Sequence, residues 1–375
     1  MFDLDDKYVA LAATARDLAD SLAEYADEAD GMLRVHPKMR AGLQESGLAA
    51  HCVPAEGGEA IDPLAIAVVR EALMGVSAHL DGLFGMQGVG SFALARAGSP
   101  RLRKEWLPEV ASLEAIAALA LTEPEAGSDL KAISTTVTPR GSDLVVNGNK
   151  SFITNAGEAA FYTVLCREGD GYSLIFVPAS TPGVSVEVGP HLIAPHIMGA
   201  VRLDEVVVPA DHRIGEPGEG FKLVLATLAT FRVSVAGAAV GLAQTALDEA
   251  VRHTSGRQQF GRPLAETGPI PHLLGLSWTE IESARALTYR AAHRAGRDPL
   301  ATLDLSSMAK VAATETAGRV VDRAVQVMGR FGLVTGSTIE RLYRNARPMR
   351  IYEGGNEVLT GQLARRLVRL TERQH

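Results

Sequence analysis

The stretch ALTEPEAGSD, from Ala120 to Asp129, marks the point at which this 375-residue chain changes character. It places the hydroxyls of Thr122 and Ser128 beside Pro124 and Gly127, which form a turn that cannot be helical. Such a loop can hydrogen-bond a polar ring edge or a phosphate. A plain capped turn explains the same residues, so the loop alone leaves both interpretations open.

The composition on either side of this loop predicts three domains and an α+β fold. Residues 1–117 are rich in Ala, Leu and Glu at helical spacing, which predicts an N-terminal α-helical domain. From 118 to 212, short runs of Val, Ile and Thr predict a small β domain, a barrel or a sheet, with a hairpin turn at Asn147-Gly148. From 213 to 375 the helical spacing returns and predicts a C-terminal four-helix bundle. Its apolar stripes are Phe221, Leu225 and Leu228, then Leu274, Trp278 and Ile281, then Val320, Ala324, Val327 and Met328.

Charge and composition exclude several classes of function. The net charge is −7 without a long basic run, so a nucleic-acid partner is not expected. No signal peptide or uninterrupted run of about twenty apolar residues is present, so no membrane anchor is expected. Cys52 and Cys166 are too far apart in sequence for a metal knuckle, which predicts two buried thiols in a reducing cytoplasm. Ligand spacing and nucleotide-binding motifs are lacking, so neither a metal nor a nicotinamide is expected.

The octet IYEGGNEV, residues 351–358, contains the candidate catalytic residue, Glu353. A carboxylate removes a carbon-bound proton when apolar surroundings raise its pKa, and glycines let a substrate carbonyl approach backbone N–H groups. Taken alone, the same residues also fit a surface acid at a helix end with a glycine C-cap.

Two further segments carry ligand-binding residue types. In GNKSFITNA, residues 148–156, Phe152 and Thr154 lie two apart on a predicted strand and so face the same side. In RQQFGRPL, residues 257–264, Arg257 and Phe260 precede a Gly-x-Pro break, which suits a diphosphate or a helix-end salt bridge. The small residues Gly85, Gly88, Gly90 and Ser91 fit a wide tunnel or close helix packing, and packing is favoured.

Taken in order, these segments resemble the acyl-CoA dehydrogenase family of flavoproteins over nearly the whole chain. The resemblance extends to the motifs VPAEGG, VRLDEVVVP, GEGF, VAGAAVGLAQTALDEA, QVMGRFG and YRNARPMRIYEGGNEV. It implies a noncovalent FAD, a homotetramer, an electron-transfer flavoprotein as acceptor, and a role in fatty acid metabolism. The implied reaction is α,β-dehydrogenation of an acyl-CoA, in which Glu353 takes the α-proton and flavin N5 accepts the β-hydride. The thioester carbonyl would meet the Glu353 backbone N–H and a flavin ribityl hydroxyl.

The resemblance also assigns the ligand-binding residues. Those implied to contact the cofactor are Thr122 and Ser128 at the flavin and pyrophosphate, Phe152, Ile153 and Thr154 at the isoalloxazine, Arg257 and Phe260 at the diphosphate of an FAD held mostly by a neighbouring subunit, Gln326 and Gly329 at the adenosine half of that FAD, and Gly355, Asn356 and Glu357 beyond the base. Those implied to contact the substrate are Ser128, Arg232, Tyr352 and Gly354. Some relatives carry the base just before the arginine that is Arg232 here, and Phe231 holds that position in this chain.

Departures from the family pattern leave further functions open. Phe152 stands where Trp is usual, Gly268 replaces part of a Phe-Gln pair, and Arg330 replaces the second glycine of Gln-x-x-Gly-Gly. Arg330 reaches an FAD phosphate or points to solvent. The segment HLIAPHIMGAV replaces a Gly-x-Arg-x-Ser motif near the expected CoA site, which makes an acyl carrier protein a second substrate carrier. A flavin oxidase, a monooxygenase or a non-catalytic flavin-binding protein of the same fold are the remaining alternatives.

Overall fold

The computed structural model describes residues 4–54, 61–194 and 196–372. Its helices are α1 (Asp6–Ser21), α2 (Ala26–Asp30), α3 (Pro37–Ser46), α4 (Pro63–Val76), α5 (Ala78–Ala97), α6 (Pro100–Ala111), α7 (Gly220–Gly256), α8 (Ile270–Ala295), α9 (Leu303–Met328), α10 (Thr338–Ala346) and α11 (Asn356–Glu372). Its strands are β1 (Ala117–Ala120), β2 (Thr136–Arg140), β3 (Asp143–Thr154), β4 (Phe161–Glu168), β5 (Gly171–Pro178), β6 (Val184–Val188), β7 (Met198–Pro209), β8 (Arg213–Ile214), β9 (Gln258–Gln259) and β10 (Arg262–Pro263). Residues 55–58 of the VPAEGG loop and Pro195 of HLIAPHIMGAV lie outside the described residues.

The chain forms two compact units. Of the residues that the structure describes, those within 4–27, 63–81 and 232–372 form the helical unit, and those within 28–54, 61–62, 82–194 and 196–231 form the sheet unit. The order of elements confirms the predicted fold, with an N-terminal helical part, a middle sheet and a C-terminal helical part. The domain boundaries predicted from composition, at 117 and 212, stay a prediction.

The sheet unit is built on an eight-stranded sheet. Seven strands follow the order β6-β7-β3-β2-β4-β5-β8, and β1 pairs in parallel with β4. The six residues that begin β4, 161–166, are buried without alternation, so both faces of this strand are covered. Cys166 lies among them, and both it and Cys52 are buried free thiols, as predicted.

The chain does not turn at Asn147-Gly148, so the prediction of a hairpin there is wrong. Strand β3 continues through both residues, and the partner strand β7 carries a bulge where Glu205 has φ +49°. The Asn147 side chain satisfies the bulge, since it accepts from the Glu205 N–H at 2.8 Å and donates to Glu205 Oε1 at 2.7 Å. The hairpin turn lies six residues earlier, where Gly141 has φ +63° and Arg140 pairs with Asp143.

The helical unit is packed around the part of α7 that begins at Arg232, and the whole helix is 37 residues long. This helix is long and apolar enough to cross a membrane, yet 94% of its most apolar stretch is buried within the protein, as in a core helix. Its glycines permit close packing, because a Cβ on Gly237 or Gly241 would collide with backbone oxygens of Ala67 and Glu71 on α4.

Helix α8 departs from the predicted core face at one position. Leu274 and Ile281 pack in the core as predicted, but Trp278 is 62% exposed and the prediction is wrong there, with Ser277 and Ala284 buried instead. The stripe of Val320, Ala324 and Val327 on α9 is buried as predicted. In a helix with aromatic and small residues on neighbouring faces, the packing partner rather than residue size decides which face is buried.

The glycines of α5 serve close packing at two positions in the sheet unit. A Cβ on Gly90 would lie 2.7 Å from Ala117 Cβ, and one on Gly88 would lie 2.8 Å from the Cys52 carbonyl oxygen. These contacts leave no room for side chains, which agrees with the packing interpretation of this segment.

A buried ion pair ties the ALTEPEAGSD loop to strand β3. Lys150 Nζ donates to Glu123 Oε1 at 2.9 Å, and both side chains are almost completely buried. The Glu123 carboxylate also accepts from the N–H groups of Ser134 and Thr135 and from the Ser134 hydroxyl. Burial opposes ionisation, but these hydrogen bonds lower the pKa of Glu123 to about 2.

We predict that Lys150→Met destabilises the protein by about 3–5 kcal/mol, because Glu123 then remains charged and buried without its cation. The contribution of Glu123 is present above the ordinary carboxyl pKa and is lost as the pH falls toward 2. The wild-type advantage over the variant should therefore shrink in acid. Urea unfolding across pH measures both effects.

The matched control is Arg140→Met, which removes an exposed ion pair to Glu205, 3.7 Å away on the same sheet. We expect a change of about 0–1 kcal/mol for this variant. Equal losses for the two variants would contradict the role assigned to the buried pair.

Candidate functional site

Glu353 lies in a strained loop between a 3₁₀ turn at Pro348–Arg350 and the start of α11. It has φ +53°, a left-handed conformation that a residue with a side chain rarely adopts, and Gly354 follows with φ +104°. A Cβ on Gly354 would lie 3.1 Å from both Arg232 Nη2 and Leu359 Cδ2, so glycine is required by conformation and by space. Such strain persists only where the surrounding structure enforces it.

Two buried cations enforce this conformation by binding backbone carbonyl oxygens. Arg232 Nε donates to the Glu353 oxygen at 2.8 Å, and Lys310 Nζ donates to the Gly354 oxygen at 2.8 Å. Arg232 is 6% exposed and Lys310 is fully buried. We call Arg232 and Lys310 the loop clamp. The clamp fixes the backbone on which the Glu353 side chain is mounted.

The Glu353 carboxylate has the environment of a base. Its Oε2 atom is shielded from solvent and has no hydrogen-bond partner among the described residues. Burial raises the pKa of Glu353, and the positive charges of Arg70, Arg232 and Lys310 oppose that rise without cancelling it. A carboxylate held in this way gains a proton more readily than one in water. Its backbone N–H also has no partner in the described parts of the chain.

Arg70, Asp81 and Ser234 form a buried triad that contributes to the electrostatic environment of Glu353. The sequence did not predict this triad. Arg70 on α4 makes a two-pronged contact with Asp81 on α5, with Nε–Oδ1 2.8 Å and Nη2–Oδ2 2.6 Å. Its Nη1 also donates to Ser234 at 3.0 Å. Asp81 partly cancels the charge of Arg70, which limits how far Arg70 can lower the pKa of Glu353. The sequence signal that could have pointed to this triad is Arg70, the one arginine in the largely apolar run LAIAVVREALM.

The sequence did not predict Lys310 either, and its contacts explain how the Asn356 side chain is hydrogen-bonded. Lys310 Nζ donates to Asn356 Oδ1 at 2.9 Å, while Asn356 Nδ2 donates to Thr314 and Glu315 at 3.0 and 2.8 Å. The side chain of Asn356, a predicted cofactor ligand, is thus occupied within the protein, which leaves its backbone for any cofactor contact. Burial lowers the pKa of Lys310 to about 8.

The other predicted residues of this loop differ in exposure. Tyr352 is partly buried and packs against the core of the helical unit, and burial raises the pKa of its hydroxyl. Gly355 is partly buried, whereas Glu357 is exposed in the first turn of α11. The helical unit thus brings together Arg232 and residues 352–357 from the predicted set.

In the sheet unit, the ALTEPEAGSD and GNKSFITNA segments are adjacent. The Ser151 N–H donates to the Thr122 carbonyl oxygen at 2.9 Å. Thr122 is partly buried and Ser128 is exposed, and neither hydroxyl has a hydrogen-bond partner within the described residues. The Ser151 hydroxyl is buried and likewise unpartnered in this part of the chain. A hydroxyl left unpaired in this way can bind a polar ligand.

Phe152 is presented outward in an unusual conformation. Its φ is +53° and it is 60% exposed, whereas Ile153 is 2% exposed in the core of the sheet. Thr154 is partly buried. The structure therefore places Phe152 on the outer surface and the Ile153 side chain inside, so an outer ligand could reach Ile153 only through its backbone. An exposed, strained aromatic ring is a candidate stacking surface.

The remaining predicted residues lie at the ends of two helices in the helical unit. Arg257 follows the end of α7, and Phe260 is 87% exposed with φ +55°. Gln326 is exposed on the last turn of α9, and Gly329 caps that helix with φ +60°. Within the described residues no group of three or more His, Cys, Asp or Glu is positioned to hold a metal ion.

Sequence models of one family match most of the chain. The acyl-CoA dehydrogenase N-terminal, middle and C-terminal domain models match residues 5–114, 118–206 and 218–368. A probable acyl-CoA dehydrogenase of Mycobacterium leprae is 35% identical over 98% of this chain and 97% of its own. The human mitochondrial short-chain specific acyl-CoA dehydrogenase is 34% identical over 98% and 91%.

Solved structures show the same architecture. Butyryl-CoA dehydrogenase from Megasphaera elsdenii aligns with a TM-score of 0.92 and 27% identity over 98% of this chain and 100% of its own. A structure described as the electron transferring flavoprotein of Acidaminococcus fermentans aligns with a TM-score of 0.93 and 29% identity, over 98% and 100%.

We predict that Lys310→Met slows flavin reduction, because the Glu353 loop is displaced. The variant should also shift the pH at which Glu353 ionises. Lys310 opposes the rise in the pKa of Glu353, so its removal should move that ionisation to higher pH. The measurement is the rate of flavin reduction by the substrate as a function of pH. Lys104→Met, at an exposed position on α6, is the control and should leave the profile unchanged. An unshifted ionisation in Lys310→Met would contradict the clamp's electrostatic role.

Proposed function

Because the chain belongs to the acyl-CoA dehydrogenase family, oxidoreductases that act on CH–CH groups, we propose that it catalyses α,β-dehydrogenation of an acyl-CoA with Glu353 as the base. The observation that supports this most strongly is the Glu353 carboxylate, whose buried Oε2 has no partner among the described residues and whose pKa is raised. A structural acid in a protein core is normally paired.

The chain's own residues account for proton removal. A thioester carbonyl that accepts from the Glu353 N–H would have a more acidic α-carbon, since charge developing on its oxygen is stabilised. The α-proton then passes to the Glu353 carboxylate, which burial has made a stronger base. The loop clamp of Arg232 and Lys310 holds the backbone that carries the Glu353 side chain during this transfer.

Members of this family are FAD-dependent, and the residues present fit that cofactor. The exposed ring of Phe152 offers a stacking face, and the free hydroxyls of Thr122 and Ser128 offer hydrogen bonds in the same unit. Arg257 offers a cation for the diphosphate. When bound, FAD would supply the acceptor for the hydride that leaves the β-carbon.

An acyl carrier protein thioester is the second candidate substrate. The observation that favours it is the segment at 191–201, where HLIAPHIMGAV replaces the motif expected near CoA. A carrier protein presents only phosphopantetheine, so contacts to a CoA adenosine would be dispensable.

We propose a homotetramer that passes electrons to an electron-transfer flavoprotein. Large exposed apolar side chains in the C-terminal part of the chain support assembly, since exposed apolar surface is often covered by a partner. They include Trp278, Phe260, Leu333 and Val334. The similarity to a structure described as an electron transferring flavoprotein supports the choice of acceptor.

We predict that Glu353→Gln folds and binds FAD and thioester but reduces its flavin about 10²- to 10⁴-fold more slowly, because the amide cannot take the α-proton. In the wild type the reductive rate should rise with pH through an ionisation above the ordinary Glu value, since only the ionised carboxylate is a base. Anaerobic stopped-flow absorbance of the flavin measures both.

Stability provides the internal control for this variant. Because the folded protein raises the pKa of Glu353, ionisation above the ordinary value costs folding free energy. Glu353→Gln should therefore unfold at the same or a higher temperature than the wild type at neutral pH. Flavin reduction by this variant at nearly the wild-type rate would show that the proton leaves by another route.

Thioesters of the same acyl group on CoA and on an acyl carrier protein test which of the two carriers the protein uses. We expect anaerobic bleaching of the flavin by acyl-CoA. Bleaching only by the carrier-protein thioester would establish the second candidate instead. Bleaching by neither, across short, medium and branched chains, would contradict the dehydrogenase function.

A further inference from the structure

Two positively charged residues converge where helices α7 and α9 end. Arg257 directly follows α7, and Arg330 lies two residues beyond α9, after the cap Gly329. The guanidinium carbon of Arg257 lies 5.1 Å from the centre of the Phe331 ring, and that of Arg330 lies 5.0 Å from it. Both cations therefore use one aromatic ring as a platform.

No carboxylate among the described residues neutralises the charge at this platform. Neither Arg257 nor Arg330 forms an ion pair in this part of the chain. His253 contacts the same ring, with centres 5.2 Å apart, and its buried Nε2 has no hydrogen-bond partner in the described residues. Burial and the charge of Arg257 lower the pKa of His253. Two guanidiniums and an imidazole thus surround Phe331 without an anion.

Cations at helix C-termini also complement the helix dipole, which is the simplest explanation for one charge at each end. The dipole does not explain why both side chains lie on the same ring, since like charges repel and each could extend separately into water. An anion that reaches both guanidiniums removes this repulsion. A diphosphate has the charge and the oxygen spacing to accept hydrogen bonds from two such groups.

We propose that Arg330 is a second cationic ligand for the diphosphate of FAD, acting together with Arg257 on the Phe331 platform. The proposal rests on the FAD dependence of the proposed function and assigns a role to a residue that replaces the glycine expected from the family pattern. Phe331 is 38% exposed, Arg330 is exposed and Arg257 is partly buried, so a ligand at the surface can approach both guanidiniums.

The test is the dissociation constant of FAD, measured by dilution of the holoenzyme and recovery of free-flavin fluorescence. Arg330→Gln should raise the constant about 5- to 50-fold, the effect of losing one charge-assisted contact. Arg330→Lys should lie between the wild type and Arg330→Gln, because it keeps the charge and loses the planar fork. The salt dependence of binding should weaken in Arg330→Gln.

Two controls separate the possible outcomes. Arg290→Gln removes an exposed charge from α8 and should leave the constant unchanged. ADP, which carries the diphosphate without the flavin, should compete with FAD less well in Arg330→Gln than in the wild type. A constant within twofold of wild type in Arg330→Gln, or an equal loss in Arg290→Gln, would overturn the proposal.

Failure of the wider function would look different. A wild-type protein that binds no FAD contradicts the proposed function itself, whereas FAD binding that is indifferent to Arg330 contradicts only this inference. If Arg330→Gln does not fold, Arg330→Lys decides: an unchanged constant and an unchanged salt dependence would reject the diphosphate contact, and a weaker constant would support it.

Discussion

The structure around Glu353 depends on where two buried cations place their hydrogen bonds. Arg232 and Lys310 bind the carbonyl oxygens of Glu353 and Gly354 instead of the carboxylate, so burial controls the pKa of Glu353 and raises it. Glu123 shows the opposite outcome in the same chain. Its carboxylate accepts directly from Lys150 and from backbone N–H groups, and its pKa falls to about 2. One buried glutamate is thereby suited to accept a proton and the other to hold a loop in place.

Backbone strain accompanies both of the groups to which the proposed function assigns chemistry. Glu353 and Phe152 each have a positive φ. Gly354, which follows Glu353, is held by the loop clamp, and Ser151, which precedes Phe152, is held by its hydrogen bond to Thr122. A strained residue costs about 1–3 kcal/mol, which the surrounding contacts must offset. Under the proposed function, the unpaired carboxylate of Glu353 follows the same logic, since a base must stay unpaired although pairing would stabilise the fold.

The sequence alone was sufficient for the order of helical and sheet parts, because hydrophobic spacing and residue type are local properties. It was insufficient at Asn147-Gly148, where a local turn signal was overridden by pairing with a bulged partner strand. The prediction that Trp278 faces the core was wrong because the face that a helix buries depends on the elements packed against it. Lys310 and the Arg70–Asp81 pair escaped notice since their partners are distant in sequence, and only the fold brings them together. The glycines beside Glu353 fit a helix C-cap as well as a site, so the family resemblance alone assigned it the role of base, which stays a prediction.

The central claim, that Glu353 removes the α-proton, is tested most directly without the second half of the reaction. An acyl-CoA that has α-hydrogens but no β-hydrogens cannot complete dehydrogenation, yet it still presents its α-carbon to the base. In D₂O, the account predicts that the wild-type protein catalyses exchange of the α-hydrogens for deuterium, followed by NMR, at a rate that rises with pH through the raised pKa of Glu353. Exchange that proceeds equally fast in Glu353→Gln would contradict the claim.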